Sequence, residues 1–316
     1  MLEKELSMMA ISAKANRPHR MKEVWQDKLF NGSVMFLVIL TLFLMLYPLY
    51  LIVISSISDP GLVAIGEVMV YPRGITFLGY EALFSYNALW RSYLNSIIYT
   101  VTGTTISIAI TMAAAFALSR KFPGRIFITF LFVFTMFFNG GLIPTFLIVR
   151  DIGLYNNPWI CILMGAVSVW NLMVARTYIR YTIPESLYEA SMLDGASHWQ
   201  YFLRVVLPLS GTIIAVLSVY YGVARWNDFW TGLVYIADDR WLPLQTFLRR
   251  ILASLNTSIE LMNISGDITE SQILRMQRAE QAKYGIIVIT TVPAVILYLF
   301  MQKFFVKGVM IGSIKG

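Results

Sequence analysis

Six long apolar runs follow one another along the chain and set its pattern of hydrophobic and polar positions. None contains Asp, Glu, Lys or Arg, and each approaches or exceeds the roughly 20 residues that a membrane-spanning helix needs. A charge at the centre of such a helix opposes insertion by about 2.5–3.5 kcal/mol, so clean runs of this length are a strong signal. The pattern predicts six spanning helices, within Leu29–Ser58, Ser92–Ser119, Ile126–Val149, Ile152–Ala175, Val205–Ala224 and Tyr284–Gln302.

The composition supports a polytopic helical membrane protein. The 316 residues are 57% hydrophobic and 14% charged, with a mean hydropathy of +0.65, whereas a soluble domain has about 25% charged residues. Such a chain cannot cover a water-facing surface, which excludes a soluble enzyme, a disordered protein and a fibrous protein. The net charge of +7 fits the excess of Lys and Arg in cytoplasmic loops of membrane proteins better than it fits binding of nucleic acid.

The basic residues predict the orientation. They are concentrated in the N-terminal tail, in the loop after the second run, in the loop after the fourth run and at the C-terminus. Short loops rich in Lys and Arg stay in the cytoplasm. We therefore expect a protein of the plasma membrane with both termini in the cytoplasm. The predicted domains are a cytoplasmic tail, 1–28, and one transmembrane domain, 29–316, which includes a cytoplasmic loop, 176–204, and an external segment, 225–283.

The sequence shows no pattern of catalysis, metal binding or ion coupling. Two His and one Cys are too few for a His/Cys metal site. Asp194 and His198 are spaced i, i+4, but no nucleophile accompanies them and Gly195 is expected to break the helix between them. The apolar runs lack the ionisable residues that proton-coupled carriers keep on their ion path. This favours transport energised by a partner; sodium coupling through backbone and hydroxyl oxygens stays open.

The loop between runs four and five predicts a helix–turn–helix. Thr182 and Glu185 have the spacing of a capping box for a first helix, and Ser197 and Gln200 have it for a second. Gly195 lies between them and suits the left-handed residue that ends a helix. Pro208 is expected to kink or interrupt the entry to the fifth span.

Three segments resemble ABC-importer permeases. Glu189-Ala190-Ser191 and Asp194-Gly195-Ala196, followed by Leu207-Pro208-Leu209, are similar to the EAA loop of that family. Phe137–Thr145 and Gln302–Val309 are similar to its carbohydrate-importer branch. Along nearly the whole chain, the sequence resembles in particular the second permease subunit of maltose-type importers, in the oligosaccharide and uronate-polysaccharide subgroup common in Gram-positive bacteria. Ser191 replaces the usual third alanine. Thr212 replaces a frequent proline, and the fifth span is expected to be less kinked at that point.

The resemblance implies the type I permease fold and a non-catalytic subunit of an ATP-hydrolysing complex. Its partners would be a second permease, two ATP-binding subunits that use ATP and Mg, and an extracellular or periplasmic solute-binding protein. The loop would be a coupling helix docked in an ATPase cleft. The C-terminal tail would make a second ATPase contact, with Lys307 and Lys315 as candidates. The coupling residues implied are Leu187, Glu189, Ala190, Asp194, Gly195 and Ala196.

The candidate substrate pathway combines aromatic rings with side-chain amides, a pairing suited to the CH faces and hydroxyl groups of sugars. Gly140, Gly141 and Pro144 are expected to interrupt the third span, as broken helices do where they line a cavity. The residues proposed to touch substrate are Asn139, Trp170, Asn171, Trp226 and Asn227.

The external segment, 225–283, is long for a connector and is expected to reach a docked binding protein. A polar helix is predicted at Thr269–Gln281, and five apolar residues are candidates for anchoring that partner: Trp241, Leu242, Leu244, Phe247 and Leu248. The alternative function from another class is a self-sufficient secondary carrier or channel for a polar solute, in which the resemblance of the loop would be accidental. An intramembrane enzyme has no visible catalytic constellation.

Overall fold

The computed structural model describes residues 25–264 and 270–312, and all regular structure in those residues is helical. By its internal contacts the chain divides into two units, Met1–Leu51 and Ile52–Gly316. The α-helices are α1 (Trp25–Ser56), α2 (Pro60–Ala64), α3 (Leu78–Phe84), α4 (Asn87–Ser119), α5 (Arg125–Phe137), α6 (Leu142–Asp151), α7 (Trp159–Leu163), α8 (Val169–Thr182), α9 (Glu185–Leu193), α10 (His198–Tyr201), α11 (Leu207–Leu209), α12 (Gly211–Trp226), α13 (Trp230–Tyr235), α14 (Leu244–Ile264) and α15 (Glu270–Gly312). A short π-helix, Phe202–Val206, joins α10 to α11, and a short 3₁₀-helix, Asp239–Trp241, precedes α14.

The helices that could cross a membrane correspond to some of the six predicted spans. Within the described residues, α1 and α4 are long and apolar enough to cross a membrane. The pairs α5–α6 and α10–α12 also qualify if each bent pair is one span; the first bends by 115° and the second by 80°. The predicted interruption at Gly140 and Gly141 is therefore confirmed. The kink predicted from Pro208 at the entry to the fifth span is also confirmed, because the 80° bend falls at Ser210, between Leu209 and Gly211. At Thr212 itself α12 continues without a break, as expected from the missing proline.

The fourth run, Ile152–Ala175, is not the continuous helix that was predicted. It contains α7 and the first half of α8, separated at residues 164–168. Gly165 has a left-handed φ of 69°, which an α-helix does not contain. The Ser168 side chain accepts a hydrogen bond from the Asn171 N–H and so caps the start of α8. A chain can leave helical geometry at membrane depth where it packs on protein. The sixth run lies within α15, which also contains Pro293.

Helix α4 is the centre of the second unit, which begins at Ile52. It packs against α8 and α12, and small or hydroxyl side chains at four-residue spacing form its buried stripe. The stripe consists of Gly103, Ser107, Thr111 and Ala115. Small residues let helices approach closely in membranes, where no water drives them together. The Thr111 hydroxyl lies 2.7 Å from the Tyr221 hydroxyl, which accepts a hydrogen bond from the Ser168 N–H at 3.1 Å.

Two apolar clusters fill this unit. The inner one joins α4, α8, α10 and α12 and contains Met112, Ala115, Leu172 and Leu217, each of which is fully buried. Ala113 and Ala114, between Met112 and Ala115, are partly buried against the same cluster. The outer cluster joins α4, α7, α13, α14 and α15 around Leu242 and Leu244.

The segment 225–283, which the sequence predicts to be external, is largely helical and partly buried where it is described. Leu242, Leu244, Phe247 and Leu248 lie in the outer cluster, so their predicted role as anchors for a partner is wrong; Trp241 is 39% exposed. A sequence in which apolar residues alternate with charges does not show whether the apolar side faces a partner or the chain's own core. The polar helix predicted at Thr269–Gln281 is present from Glu270 onward, and it continues into the sixth run without a break.

Gln281 anchors α15 to the segment that follows α1. Its side chain is 1% exposed. Its Oε1 accepts a hydrogen bond from the Gly79 N–H at 2.8 Å, while Nε2 donates to the carbonyl oxygens of Ser58 and Thr76. A Cβ at Gly79 would lie 2.7 Å from the backbone nitrogen of Ala282. Glycine at position 79 therefore permits the close approach of the two backbones.

Candidate functional site

The loop between α8 and α12 forms the predicted helix–turn–helix. Helix α9 ends at Leu193, and Gly195 follows with a left-handed φ of 79°. The Ala196 N–H donates to the Ser191 carbonyl at 3.0 Å, which closes the six-residue turn of a Schellman motif. The left-handed role predicted for Gly195 is thus confirmed. A Cβ at Gly195 would meet no atom within 4 Å, so only backbone strain opposes a side chain there.

One of the two predicted capping boxes is present. The Ser197 hydroxyl accepts a hydrogen bond from the Gln200 N–H at 3.2 Å, and the Gln200 side chain accepts from the Ser197 N–H at 2.8 Å. The box predicted at Thr182 and Glu185 is wrong. Thr182 is the last residue of α8, and Pro184 occupies the N-cap position of α9 without a side-chain hydrogen bond. A short connection between two helices cannot use Thr182 both to end one and to cap the next.

Arg120, just after the end of α4, contacts the inner side of the loop between α8 and α12 and holds it in place. Its guanidinium lies 4.1 Å from the centre of the Tyr188 ring and 3.3 Å from the Glu185 carboxylate. Tyr188 also stacks on His198, with its hydroxyl 3.2 Å from Nδ1, and meets Tyr201 edge-on at 5.3 Å. His198 is thus engaged with Tyr188, and the described residues contain no cluster that could hold a metal ion. These contacts tie α9 and α10 to the end of α4.

The opposite side of the loop is exposed. Leu193 is 89% exposed and Leu187 is 40% exposed, and Glu189, Ala190, Asp194 and Gly195 also face outward, while Ala196 is half-buried. Exposed apolar side chains next to carboxylates, on a loop braced from behind, are typical of a protein-docking surface. Among the predicted C-terminal contacts, Lys307 falls in α15 and Lys315 lies outside the described residues.

The five candidate pathway residues occupy three places. Asn139 is exposed in the turn between α5 and α6, where its side chain accepts a hydrogen bond from the Gly141 N–H. Trp170 is 61% exposed in the first turn of α8, whereas Asn171 beside it is buried. At the end of α12, Trp226 is 5% exposed and donates to the Thr290 carbonyl, and Asn227 is exposed. Their contact with substrate stays a prediction.

A cavity of about 290 Å³ opens beside the end of α12. It is lined by Met164, Gly165, Tyr221, Ala224, Arg225 and Asp228. The two charged residues, Arg225 and Asp228, were not selected by the sequence analysis. A search for charge-free runs stops at the first charge, so Arg225 counted as the start of the external segment. The structure places it in the last turn of α12, half-buried against α4. The signal that was present was an arginine directly continuing an apolar run.

The fold and the braced loop define a permease subunit of a membrane transport complex. The family of binding-protein-dependent transport system inner membrane components matches residues 106–311. The chain belongs to this family, and it is a permease rather than a catalytic component.

Relatives and a solved structure agree with this assignment. The polygalacturonan/rhamnogalacturonan transport system permease protein YtcP of Bacillus subtilis (strain 168) is 32% identical over 92% of this chain and 100% of its own length. Protein LplC of the same organism is 35% identical, over 85% of this chain and 89% of its own. A crystal structure of a bacterial ABC transporter involved in import of the acidic polysaccharide alginate has a TM-score of 0.79 and 29% identity, covering 90% of this chain and 99% of that chain. The type I ABC-permease fold is thereby confirmed.

Proposed function

We propose that this chain is one permease subunit of an ATP-driven carbohydrate importer and couples the transport pathway to an ATPase through α9. The observation that supports this most strongly is the loop centred on Gly195. It presents Leu187, Leu193 and Glu189 outward, while Arg120 and Tyr188 fix its inner side to α4. A loop held in this way can pass a displacement to a spanning helix, because packed side chains shift as discrete units rather than deform.

The proposed partners are a second, similar permease, two ATP-binding subunits and a solute-binding protein. ATP and Mg²⁺ are used by the ATP-binding subunits. When those subunits close on ATP, α9 moves with the cleft in which it is docked, and α4 and α12 follow through the contacts of Arg120 and Tyr201. Glu189 is proposed to pair with a basic group of the ATPase. The C-terminal residues Lys307 and Lys315 are proposed as a second contact.

The orientation proposed places both termini and α9 in the cytoplasm. The short loops rich in Lys and Arg support it. The segment between Asp59 and Arg91 and the segment 225–283 are then external. The latter is proposed to meet the binding protein through its exposed parts rather than through the buried leucines of α14.

The substrate class is proposed from the relatives. One relative is named for transport of polygalacturonan and rhamnogalacturonan, and the solved transporter is involved in alginate import. Other family members at lower identity are named for melibiose, raffinose and stachyose or for arabinooligosaccharides. All of these are saccharides, so an oligosaccharide is proposed here, with uronate-containing chains included.

The test is purification of the complex from native membranes through a tag on this chain. We expect the four kinds of subunit to co-purify, and we expect the binding protein to retain a saccharide that mass spectrometry can identify. ATP-dependent uptake of that saccharide into proteoliposomes would then support the function. A complex that transports an ion or an amino acid and ignores saccharides would contradict it.

A further inference from the structure

Arg225 carries a charge into the middle of the helical bundle. Its guanidinium donates from Nη1 to the Cys161 carbonyl at 2.8 Å and from Nη2 to the Ser107 hydroxyl at 3.3 Å. Ser107 lies twelve residues before Ser119, the end of α4, which is about 18 Å along a helix. An ionisable group at that depth is costly, and in membrane proteins it usually marks a substrate or ion path.

The packing of α4 makes room for this side chain. A Cβ on Gly103 would lie 2.9 Å from the Arg225 Nε. Glycine at position 103 therefore lets the arginine stem cross α4 toward Ser107. The side chain is held at both ends, by its helix and by its two hydrogen bonds, so its position is fixed before any ligand arrives.

The guanidinium still has hydrogen-bonding capacity. Arginine has five N–H donors, and the two bonds to Cys161 and Ser107 use two of them. Among the residues that the structure describes, no carboxylate oxygen lies within 4 Å of the guanidinium. Asp228 lines the same cavity, but its two oxygens accept hydrogen bonds from the backbone N–H and the hydroxyl of Thr231. The Asp228 carboxylate is thus held at the start of α13.

We infer that Arg225 binds a carboxylate of an acidic saccharide in the cavity formed by Met164, Gly165, Tyr221, Ala224 and Asp228. This inference rests on the proposed function and adds a specificity-determining residue to it. A planar guanidinium matches a carboxylate in two parallel hydrogen bonds. The cavity volume of about 290 Å³ is at the lower end of the roughly 300–1,000 Å³ typical of ligand sites, and it suits one sugar ring at a time rather than a whole chain.

The competing role for Arg225 is purely structural, as a tie between α4, α7 and α12. The two roles differ in what a substitution changes. Loss of a tie lowers stability and slows uptake of every saccharide alike. Loss of a carboxylate site lowers uptake of an acid relative to its neutral counterpart. The ratio of the two uptake rates therefore separates them, and any preference of the binding protein cancels when variants are compared with the same binding protein.

The test uses the complete complex in proteoliposomes with three probes: trigalacturonate, its trimethyl ester and maltotriose. For Arg225→Gln, we expect the ratio of acid to ester uptake to fall about tenfold, as for one lost charge-assisted pair, with ester uptake within about twofold of wild type. Arg225→Lys keeps the charge but not the planar pair, so its ratio should be intermediate. The matched control is Arg249→Gln. Arg249 is an exposed arginine of α14 that stacks on the Phe229 ring, and the uptake ratio of this variant should equal that of wild type.

An unchanged ratio in Arg225→Gln would overturn the inference and leave the proposed function intact. If Arg225→Gln fails to assemble, an unchanged ratio in Arg225→Lys has the same meaning. Uptake of maltotriose but of neither galacturonate probe would also overturn the inference alone. Failure of an assembled, ATP-hydrolysing complex to take up any of the three probes would count against the proposed function itself.

Discussion

The guanidinium of Arg120 lies between the Glu185 carboxylate, 3.3 Å away, and the Tyr188 ring, 4.1 Å from its centre. Through this residue the end of α4 touches the first turn of α9. The Glu185 side chain is 71% exposed, and exposed ion pairs contribute only about 0–1 kcal/mol. The stacking on Tyr188 is therefore the larger part of the brace, at up to about 2 kcal/mol.

The first prediction is that Arg120→Gln uncouples ATP hydrolysis from transport. The change removes both the ion pair and the stacking, so α9 loses its connection to α4 while its outer face stays intact. Basal ATPase activity of the complex should persist, and stimulation by the saccharide-loaded binding protein should fall severalfold. Glu185→Gln should have a smaller effect, because it leaves the stacking in place. The control is Lys121→Gln, an exposed neighbour; equal losses in Lys121→Gln and Arg120→Gln would contradict the brace.

The second prediction concerns the turn at Gly195. A side chain at φ +79° costs about 1–2 kcal/mol for most L-residues, less for asparagine and most for β-branched residues. Gly195→Val should reach the membrane but lose stimulated ATP hydrolysis, whereas Gly195→Asn should retain most of it. No atom lies within 4 Å of a Cβ at this position in the chain itself, so equal losses in both variants would indicate a clash with the docked partner instead of strain.

The third prediction concerns Gln281. Its three hydrogen bonds hold the segment after α1 against α15, and leucine in its place would leave the Gly79 N–H and two carbonyl oxygens without partners in the interior. Each unsatisfied buried group costs about 1–3 kcal/mol. Gln281→Leu should therefore lower the unfolding temperature of the purified protein by several degrees, measured by tryptophan fluorescence. Gln245→Leu, the same chemical change in α14, should lower it far less; similar shifts would argue against a specific anchor.

The fourth prediction concerns the proposed orientation. Reporter fusions or single cysteines at Lys121 and His198 should be accessible only from the cytoplasm, and Gly66 only from outside. A Cβ at Gly66 would meet no atom within 4 Å, so a cysteine there disturbs no packing, and its cost is limited to the backbone strain of a left-handed φ of 77°, about 1–2 kcal/mol. Position 266, also predicted to be external, lies outside the described residues. Accessibility of Gly66 and His198 from the same side would contradict the orientation.

Local signals in the sequence anticipated local structure well. The box of Ser197 and Gln200 and the left-handed turn at Gly195 depend on a few neighbouring residues, and both are present. The capping box predicted at Thr182 was wrong because α8 extends to this residue. The extent of α8 is set by packing on α4 rather than by the four residues of the box. The break at Gly165 lay hidden inside an apolar run, since hydropathy does not report backbone geometry.

Long-range placement could not be read from the sequence. Leu242 and Leu244 follow charged residues and look like a surface patch, yet they lie in the outer cluster. The reason is that Asn95 and Ser96 of α4 form hydrogen bonds with the backbone on either side of Leu242. Arg225 looked like the first residue of a loop, and only the packing of α12 on Gly103 shows where its charge lies. Both cases depend on contacts between residues more than 100 positions apart.

The most direct test of the account is cross-linking of α9 to the ATPase in the assembled complex. Leu193→Cys places a thiol at the most exposed large apolar residue of the loop, while the native Cys161 is buried. With a maleimide–benzophenone reagent, the maleimide adds to the Leu193→Cys thiol and the photoactivated ketone inserts into a nearby C–H bond of the neighbouring protein. The account predicts a cross-link from Leu193→Cys to an ATP-binding subunit, with a yield that changes when ATP is added. Gly66→Cys, in the segment proposed to be external, should give none. Absence of any Leu193→Cys cross-link in a complex that hydrolyses ATP and imports its saccharide would contradict the coupling role of α9.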